Sequence, residues 1–291
     1  MIRSQTAASW RDYLQLTKPR VISLLLYTTL ASMIIAARGW PGTGLFVAVA
    51  LGGYLMAGAA NAFNMVLDAD IDGRMGRTAR RPTVTQKVPP AKAFVFASTL
   101  ALLGFLDLWF FANVWSALLS LMGLLWYVGV YTLFMKRRFW NNIVIGGAAG
   151  AFPVLVGWSA VAGHLSWTAW YLFAIVFFWT PVHFWSLALL IQEDYRAVGV
   201  PMLPVVYGDR FTATQILAYA WLTSALSWVP AVLGGWNEIY FLASLALDGL
   251  LIVWSWQLYR APERPRALRL YKYSMLYLAL LFLALALGRI V

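Results

Sequence analysis

The stretch Asn61-Ala-Phe-Asn64-Met-Val-Leu-Asp68-Ala-Asp70-Ile-Asp72-Gly-Arg74-Met-Gly-Arg77-Thr-Ala-Arg80-Arg81-Pro82 decides how the chain is read. Three aspartates and then four arginines stand directly behind an apolar run that looks like a membrane span. Asn64, Asp68 and Asp72 are spaced four residues apart, so a helix continuing through them carries one polar stripe. Two carboxylates one turn apart repel each other unless a cation sits between them. Amides such as Asn61 and Asn64 are costly this close to lipid, which weighs against a merely solvated acidic loop. Hard oxygen ligands in this arrangement suit Mg²⁺, which keeps some waters and shares its shell with phosphate. Arg77 and Arg81, one turn apart just behind the carboxylates, supply the matching phosphate grip. The stretch therefore predicts a metal-bound diphosphate at the membrane surface, with Asp70 pointing off the Asp68/Asp72 face.

Working outward, 62% of the chain is hydrophobic and 11% charged, against about 25% charged in soluble proteins. This is the composition of a polytopic membrane protein. Nine apolar stretches approach the roughly 20 residues that a crossing needs. They are Val21–Ala37, Leu45–Met65, Ala93–Phe111, Val114–Met135, Ile143–Ala162, Ala169–Ile191, Thr214–Gly234, Ile239–Tyr259 and Tyr271–Val291. With these crossings, 20 of the 22 lysines and arginines fall on one side, Arg3 among them, leaving only Arg38 and Arg289 on the other. That asymmetry makes the N-terminus cytoplasmic and the C-terminus external. It also accounts for the formal charge of +11 without nucleic acid. The basic N-terminus runs into a long span with no small-residue cleavage site, so no removable signal peptide is expected. Cysteine is absent, which excludes thiolate zinc sites, disulfides and cysteine nucleophiles. Residues 1–291 are read as one integral-membrane domain.

Four crossings separate the loop after span two from the loop after span six, so both face the same side. The second loop reads Gln192-Glu193-Asp194-Tyr195-Arg196-Ala-Val-Gly199-Val-Pro201-Met202-Leu203-Pro204. Acidic residues thus recur at the same end of two spans, as in folds with weak internal duplication, and the two patches can converge on one ligand. Lys136-Arg137-Arg138 serves as a positive-side anchor, with Lys136 also placed for a phosphate contact. Span six contains Phe178-Trp179-Thr180-Pro181-Val182-His183-Phe184-Trp185. Pro181 frees carbonyls beside it, and His183 lies roughly 12 Å below the cytoplasmic edge at 1.5 Å per residue. That is the depth at which the reacting carbon of a lipid diphosphate would lie. Asp248 falls within span eight and requires a partner. Gly146-Gly147-Ala148-Ala149-Gly150-Ala151 reads as close helix packing.

Asn64-x-x-x-Asp68-x-x-x-Asp72 resembles the first aspartate-rich motif of the UbiA-type intramembrane prenyltransferases, and the chain looks most like their haem-farnesylating branch. The resemblance extends through Leu16-Thr17-Lys18-Pro19-Arg20, Met75-Gly76-Arg77-Thr78, Arg81-Pro82, Asn142 to Ala151, Pro181-Val-His183-Phe184-Trp185, and Asp194 to Pro204. It covers most of the first 210 residues, and the final three spans match only in hydropathy. Glu193-Asp194 stands where quinone-directed members carry a second Asp-x-x-x-Asp. Gln86-Lys87 replaces a frequent Ser-Gly pair, and Val182 a second proline.

The resemblance implies an all-α polytopic membrane protein, nine transmembrane helices around a central cavity, in the inner membrane with its site on the cytoplasmic side. It implies transfer of the farnesyl group of farnesyl diphosphate to a vinyl group of haem B. Mg²⁺ would be held by Asp68 and Asp72 with Asn64 and Asp194, and Arg77 and Arg81 would stabilise developing charge. Asn61, Lys136, His183, Trp185, Asp194, Tyr195 and Arg196 would contact substrate. Trp179, Phe184 and Trp185 would shield an allylic cation, and His183 would ligate or orient the haem. The bilayer, the two substrates and a downstream haem A synthase are the partners such an enzyme would have. Two alternatives stand beside this reading: a prenyltransferase for an aromatic quinone precursor, and a haem or lipid-diphosphate carrier with no chemistry.

Overall fold

The computed structural model describes residues 8–233 and 237–290. Arg3, Gly234 and Val291, which entered the charge count and two of the span boundaries, lie outside those residues. Every regular element among the described residues is helical. A short α1 (Trp10–Thr17) begins at a capping box in which Ser9 and Asp12 satisfy each other's backbone N–H groups. It is followed by α2 (Pro19–Ala37), α3 (Thr43–Leu67), the single turn α4 (Ala69–Asp72) and α5 (Pro90–Phe111). Then come α6 (Val114–Leu125), which runs on as a π-helical segment Trp126–Met135, α7 (Asn142–Gly146), α8 (Ala148–Ala162) and α9 (Trp167–Leu190). The chain closes with α10 (Gln192–Ala197), α11 (Leu203–Leu233), α12 (Glu238–Arg260) and α13 (Arg264–Ile290).

Eight of the described helical stretches are long and apolar enough to cross a membrane, so the count of nine is not reached. The expected seventh span, Thr214–Gly234, runs into the residues that are not described. Its helix, α11, nevertheless lies antiparallel to α12. Arg210 near its start donates to the carbonyl of Tyr259 at the end of α12, and Ser227 further along donates to Asp248. The tight hairpin between α5 and α6 forms as expected, with Asn113 capping α6 through its bond from the Ser116 N–H at 2.9 Å.

Helices α2, α3, α6 with its π segment, α8, α9 and α13 surround a central cavity. The outward faces of the bundle, α5, α9 and α12 among them, expose large apolar side chains such as Phe110, Phe111, Trp167 and Leu242, as lipid contact requires. Close helix approach depends on small residues. At the crossing of α2 and α8 a Cβ on Gly157 would collide with the carbonyl oxygen of Thr29, and Ser32 donates to the Val154 carbonyl at 2.9 Å. A Cβ on Gly146 would meet the ring of Tyr131, so the glycine–alanine run does pack as its composition suggested. Asp248 acquires its partners across three helices: Tyr277 donates to one carboxylate oxygen at 2.7 Å and Ser227 to the other.

Candidate active site

The aspartate stripe survives a break in the helix. Asp68 caps α3 with φ −95° and ψ 2°, yet its N–H still bonds Asn64 O at 2.9 Å, and the Asp72 N–H bonds Asp68 O at 2.8 Å. Four-residue spacing is therefore preserved, and Asn64, Asp68 and Asp72 all line the cavity. Asp68 is 0% exposed and Asp72 2%. Asp70 turns away, as its register predicts, and takes both arms of Arg137 at 2.7 Å. That pairing holds the Asp70 carboxyl below its ordinary range and raises Arg137.

Each buried carboxylate already faces a cation. Lys136 donates to Asp68 Oδ2 at 2.5 Å, and Arg81 pairs with Asp72. Asn64 spans the group: its amide donates to Asp68 Oδ2 at 2.7 Å and to Thr132 Oγ1 at 3.2 Å, and its oxygen accepts from Lys18 Nζ at 2.8 Å. Lys136 and Thr132 reach this point because the π segment adds a residue to each turn. The Lys136 N–H bonds the carbonyl of Tyr131, five residues back, at 2.8 Å, and such turns gather at functional sites.

Lys18 enters from another direction. It sits between α1 and α2 in the left-handed region, φ 52° and ψ 62°, a conformation that costs a non-glycine residue about 1–3 kcal/mol and clusters at functional sites. Loss of solvent, reinforced by the nearby charges of Arg81 and Lys136, pushes its ammonium down to about 7. A bound polyanion would relieve that cost. Tyr195 is also buried in the mouth, where loss of solvent raises its phenol to about 12.

The cavity holds 430 Å³. Lys18, Arg77, Arg81 and Lys136 line one end with Asp68 and Asp72, so that the cations exceed the carboxylates by one with Lys18 neutral and by two with it protonated. The remainder is walled by apolar side chains such as Leu25, Phe152, Val156 and Leu278. A charged head and an apolar tail thus have one continuous compartment. The donor set fits a metal that shares its shell with diphosphate. Asp68 Oδ1 is buried and accepts no hydrogen bond, with Arg137 Nη2 3.5 Å away as its ion-pair partner, and among the described residues no cluster of three acidic or histidine side chains offers a complete protein cage. Mg²⁺ normally takes only one or two carboxylates and completes its shell from water and phosphate.

Along the cavity, His183 is held on both faces, by Trp179 at 4.7 Å and Tyr271 at 5.0 Å between ring centroids. Its Nδ1 lies 2.8 Å from Ser274 Oγ, whose hydroxyl donates to the carbonyl of Tyr271 at 2.8 Å. A hydroxyl has one proton: with it on the Tyr271 carbonyl, Ser274 accepts from Nδ1–H and the lone pair of the imidazole is left on Nε2, and with it on Nδ1 the tautomer is reversed. Trp179 is fixed through its own bond to Ser274 O at 2.8 Å.

Several expected contacts are placed elsewhere. Trp185 is 1% exposed and packs edge-on against Tyr219 at 5.4 Å, in the α9–α11 interface rather than along the cavity. Arg196 pairs with Glu193 at the surface. Asp194 does not line the cavity: it accepts the Gly76 N–H at 3.1 Å, tying α10 to the loop that carries Arg77. The two acidic loops do converge, with Tyr195 rather than Asp194 reaching the cavity. Asn61 lines it too, and its amide holds the end of α1 through Thr17 O at 3.0 Å. Lys18, Thr132, Tyr127, Tyr131 and Tyr271 were not anticipated; for Lys18 alone a signal existed, in the lysine–proline pair that opens the first span.

Adjacent Lys136 and Arg137 provide a contrast. The Arg137–Asp70 pair is 38% and 61% exposed, a setting worth about 0.2–1 kcal/mol. Breaking the buried Lys136–Asp68 pair costs about 3–5 kcal/mol. Arg137 also donates to the Leu67 carbonyl at 2.9 Å and stands 3.5 Å from Asp68 Oδ1, a longer contact than that of Lys136. Arg137→Gln is therefore expected to lower thermal stability and prenyl diphosphate affinity less than Lys136→Met does. Equal losses in melting and binding assays would contradict this division.

A model of the UbiA prenyltransferase family matches residues 25–287. Over 99% of its length the chain is 66% identical to a protoheme IX farnesyltransferase of Thermus thermophilus, covering 48% of that protein. It thus spans about half the length of that relative. It is 53% identical to a protoheme IX farnesyltransferase of Deinococcus radiodurans, over 98% of this chain and 95% of that one. A solved structure of digeranylgeranylglyceryl phosphate synthase superposes with a TM-score of 0.79 at 20% identity, over 96% of this chain and 98% of that chain. A UbiA homologue from Archaeoglobus fulgidus, bound to GPP and Mg²⁺, superposes at 0.68 and 16% identity, over 94% and 99%. At those identities the likeness is one of fold.

Proposed function

The chain belongs to the UbiA prenyltransferase family, and on that premise we propose that it farnesylates haem B to haem O. The bond from the farnesyl C1 to the diphosphate oxygen breaks, and a new carbon–carbon bond forms to a haem vinyl group. Water adds at the other vinyl carbon, with release of a proton and of diphosphate. The observation that carries this reading is the single cavity joining the Asp68–Asp72 mouth to the His183 platform. The names of the relatives point the same way.

Asp68, Asp72 and Asn64 are the residues that would hold Mg²⁺. The metal supplies charge neutralisation for the departing diphosphate. Lys18, Arg77, Arg81 and Lys136 bind the diphosphate oxygens and stabilise charge as it develops there. The apolar walls receive the isoprenoid chain and exclude water. Trp179 and Phe184 line the cavity, and an allylic cation there would be attracted to such rings. His183 presents Nε2 to the haem. Asp194 is assigned to holding the Arg77 loop, Arg196 to the surface and Trp185 to packing. Residues 1–291 are taken as one prenyltransferase unit of the inner membrane, its mouth on the cytoplasmic side where the basic loops lie.

The test is mass analysis of haem from membranes with and without the protein, supplied with farnesyl diphosphate and haem B. A heavier, more hydrophobic haem is expected only with the protein. Unaltered haem alongside a prenylated phenol would assign the chain to quinone precursors instead. Unaltered haem with retained binding of both ligands would make it a carrier.

A further inference from the structure

We propose that the cleft between the end of α12 and the start of α13 binds the phosphate of an anionic phospholipid from the leaflet on the basic side of the protein. The cleft holds 530 Å³ and is lined by Trp256, Arg260, Glu263, Arg266 and Arg269. Its carboxylate is already taken, since Glu263 faces Arg266 at 3.6 Å, and Arg266 also donates to the Gln257 carbonyl at 2.9 Å. Arg260 and Arg269 differ. Among the described residues neither guanidinium has an ion pair or a hydrogen bond.

Each is laid instead against an indole, Arg260 at 5.3 Å from the Trp256 ring and Arg269 at 6.0 Å from Trp254. Stacking fixes the plane of a guanidinium and leaves its N–H edge free, in the fork geometry that matches phosphate. Arg11 and Arg138 on the same face are also stacked, on Trp10 at 5.6 Å and Phe134 at 5.4 Å, but neither lines this cleft, and other arginines there are committed within the protein. Arg81, Arg137 and Arg196 pair with aspartate or glutamate, and Arg264 donates to the Leu190 carbonyl at 2.7 Å. A second observation favours a lipid over a soluble anion. Leu250 and Val253, each 45% exposed, and Trp256, 49% exposed, fall at helical spacing on one face of α12 that ends at Arg260. An acyl chain lying along that face would place its phosphate in the cleft. Basic pockets of this type, at helix ends beside the bilayer, suit anionic headgroups.

The test is native mass spectrometry of the full chain, delipidated and then titrated with phosphatidylglycerol or phosphatidylcholine. The wild type is expected to retain phosphatidylglycerol preferentially. R260Q/R269Q is expected to lose about 25-fold of that preference, roughly fivefold for each cation, with prenyl diphosphate binding unchanged. R11Q/R20Q, which removes two arginines elsewhere on the same face, is expected to keep it. Equal losses in both variants, or none in R260Q/R269Q, would overturn the site in favour of a diffuse field. Displacement of phosphatidylglycerol by equimolar inorganic phosphate would overturn the lipid assignment. Should R260Q/R269Q not fold, Val253→Asn interrupts the acyl track and is expected to weaken phosphatidylglycerol retention several-fold; unchanged retention there also counts against the site.

Discussion

Asp68→Asn and Asp72→Asn are each expected to reduce farnesyl transfer about 10²- to 10³-fold, the loss found when one preorganised electrostatic group is removed. Both side chains are buried, and both are already matched to cations, Asp68 to Lys136 at 2.5 Å and Asp72 to Arg81. The substitution keeps the shape and removes the charge, so it also leaves a buried cation unpaired, at about 3–5 kcal/mol. Lost activity alone would not separate a role in chemistry from a role in folding. The double variant D68N/K136M does, when its activity is read against that of K136M alone. Removing both partners of a buried pair is often neutral for stability, so the double variant is expected to melt near the wild type while remaining inactive. Recovery of activity together with stability would mean that Asp68 is only a structural counter-ion. Asp68 Oδ1, buried without a hydrogen bond and with only the longer 3.5 Å ion pair to Arg137, is the atom that favours the chemical role.

Local spacing made part of this site legible. The four-residue repeat of Asn64, Asp68 and Asp72 survives the break at Asp68, because one helical hydrogen bond carries across each interval. Asp70 could be set aside on the same ground. What spacing cannot show is which distant segment answers a charge. Lys136 stands 68 residues from Asp68 inside a run of three cations that also reads as an anchor, and the π-helical register that aims it has no plain signature in Trp126–Met135. Lys18 depends on a left-handed turn that only the structure displays. Trp185 misled for the opposite reason. It is two residues from His183 in the chain, which on a helix places it about 200° around the axis, against Tyr219 rather than the cavity. Trp179, four residues from His183, shares its face and stacks on it. Nine apolar crossings are read from composition and eight are found among the described residues, and the loop pairing that Gly76 and Asp194 make was anticipated as convergence but not as a contact.

His183→Ala is expected to cost about 100-fold in haem conversion while leaving prenyl diphosphate affinity unchanged. The two substrates would then be assigned to different parts of one cavity. The argument rests on how completely the imidazole is oriented. Trp179 and Tyr271 cover its faces, and Ser274 accepts the Nδ1 proton when its own hydroxyl donates to the Tyr271 carbonyl. The nitrogen left with a lone pair is Nε2, the form of histidine that ligates iron, and an outer partner on the other nitrogen sets that tautomer. Ser274→Ala removes this partner without touching the cavity lining, and is expected to weaken haem binding about 10-fold, the lower end for such outer contacts. Ser274→Thr, which keeps the hydroxyl, is expected to restore most of it. The measurement is the absorption spectrum of haem titrated into the purified protein, where loss of an imidazole ligand displaces the Soret band. A His183→Ala protein that binds haem with an unchanged spectrum and converts it at the normal rate would place the haem away from the α9–α13 wall. The Asp68–Asp72 mouth would then have to be connected to a second compartment that the cavity does not show.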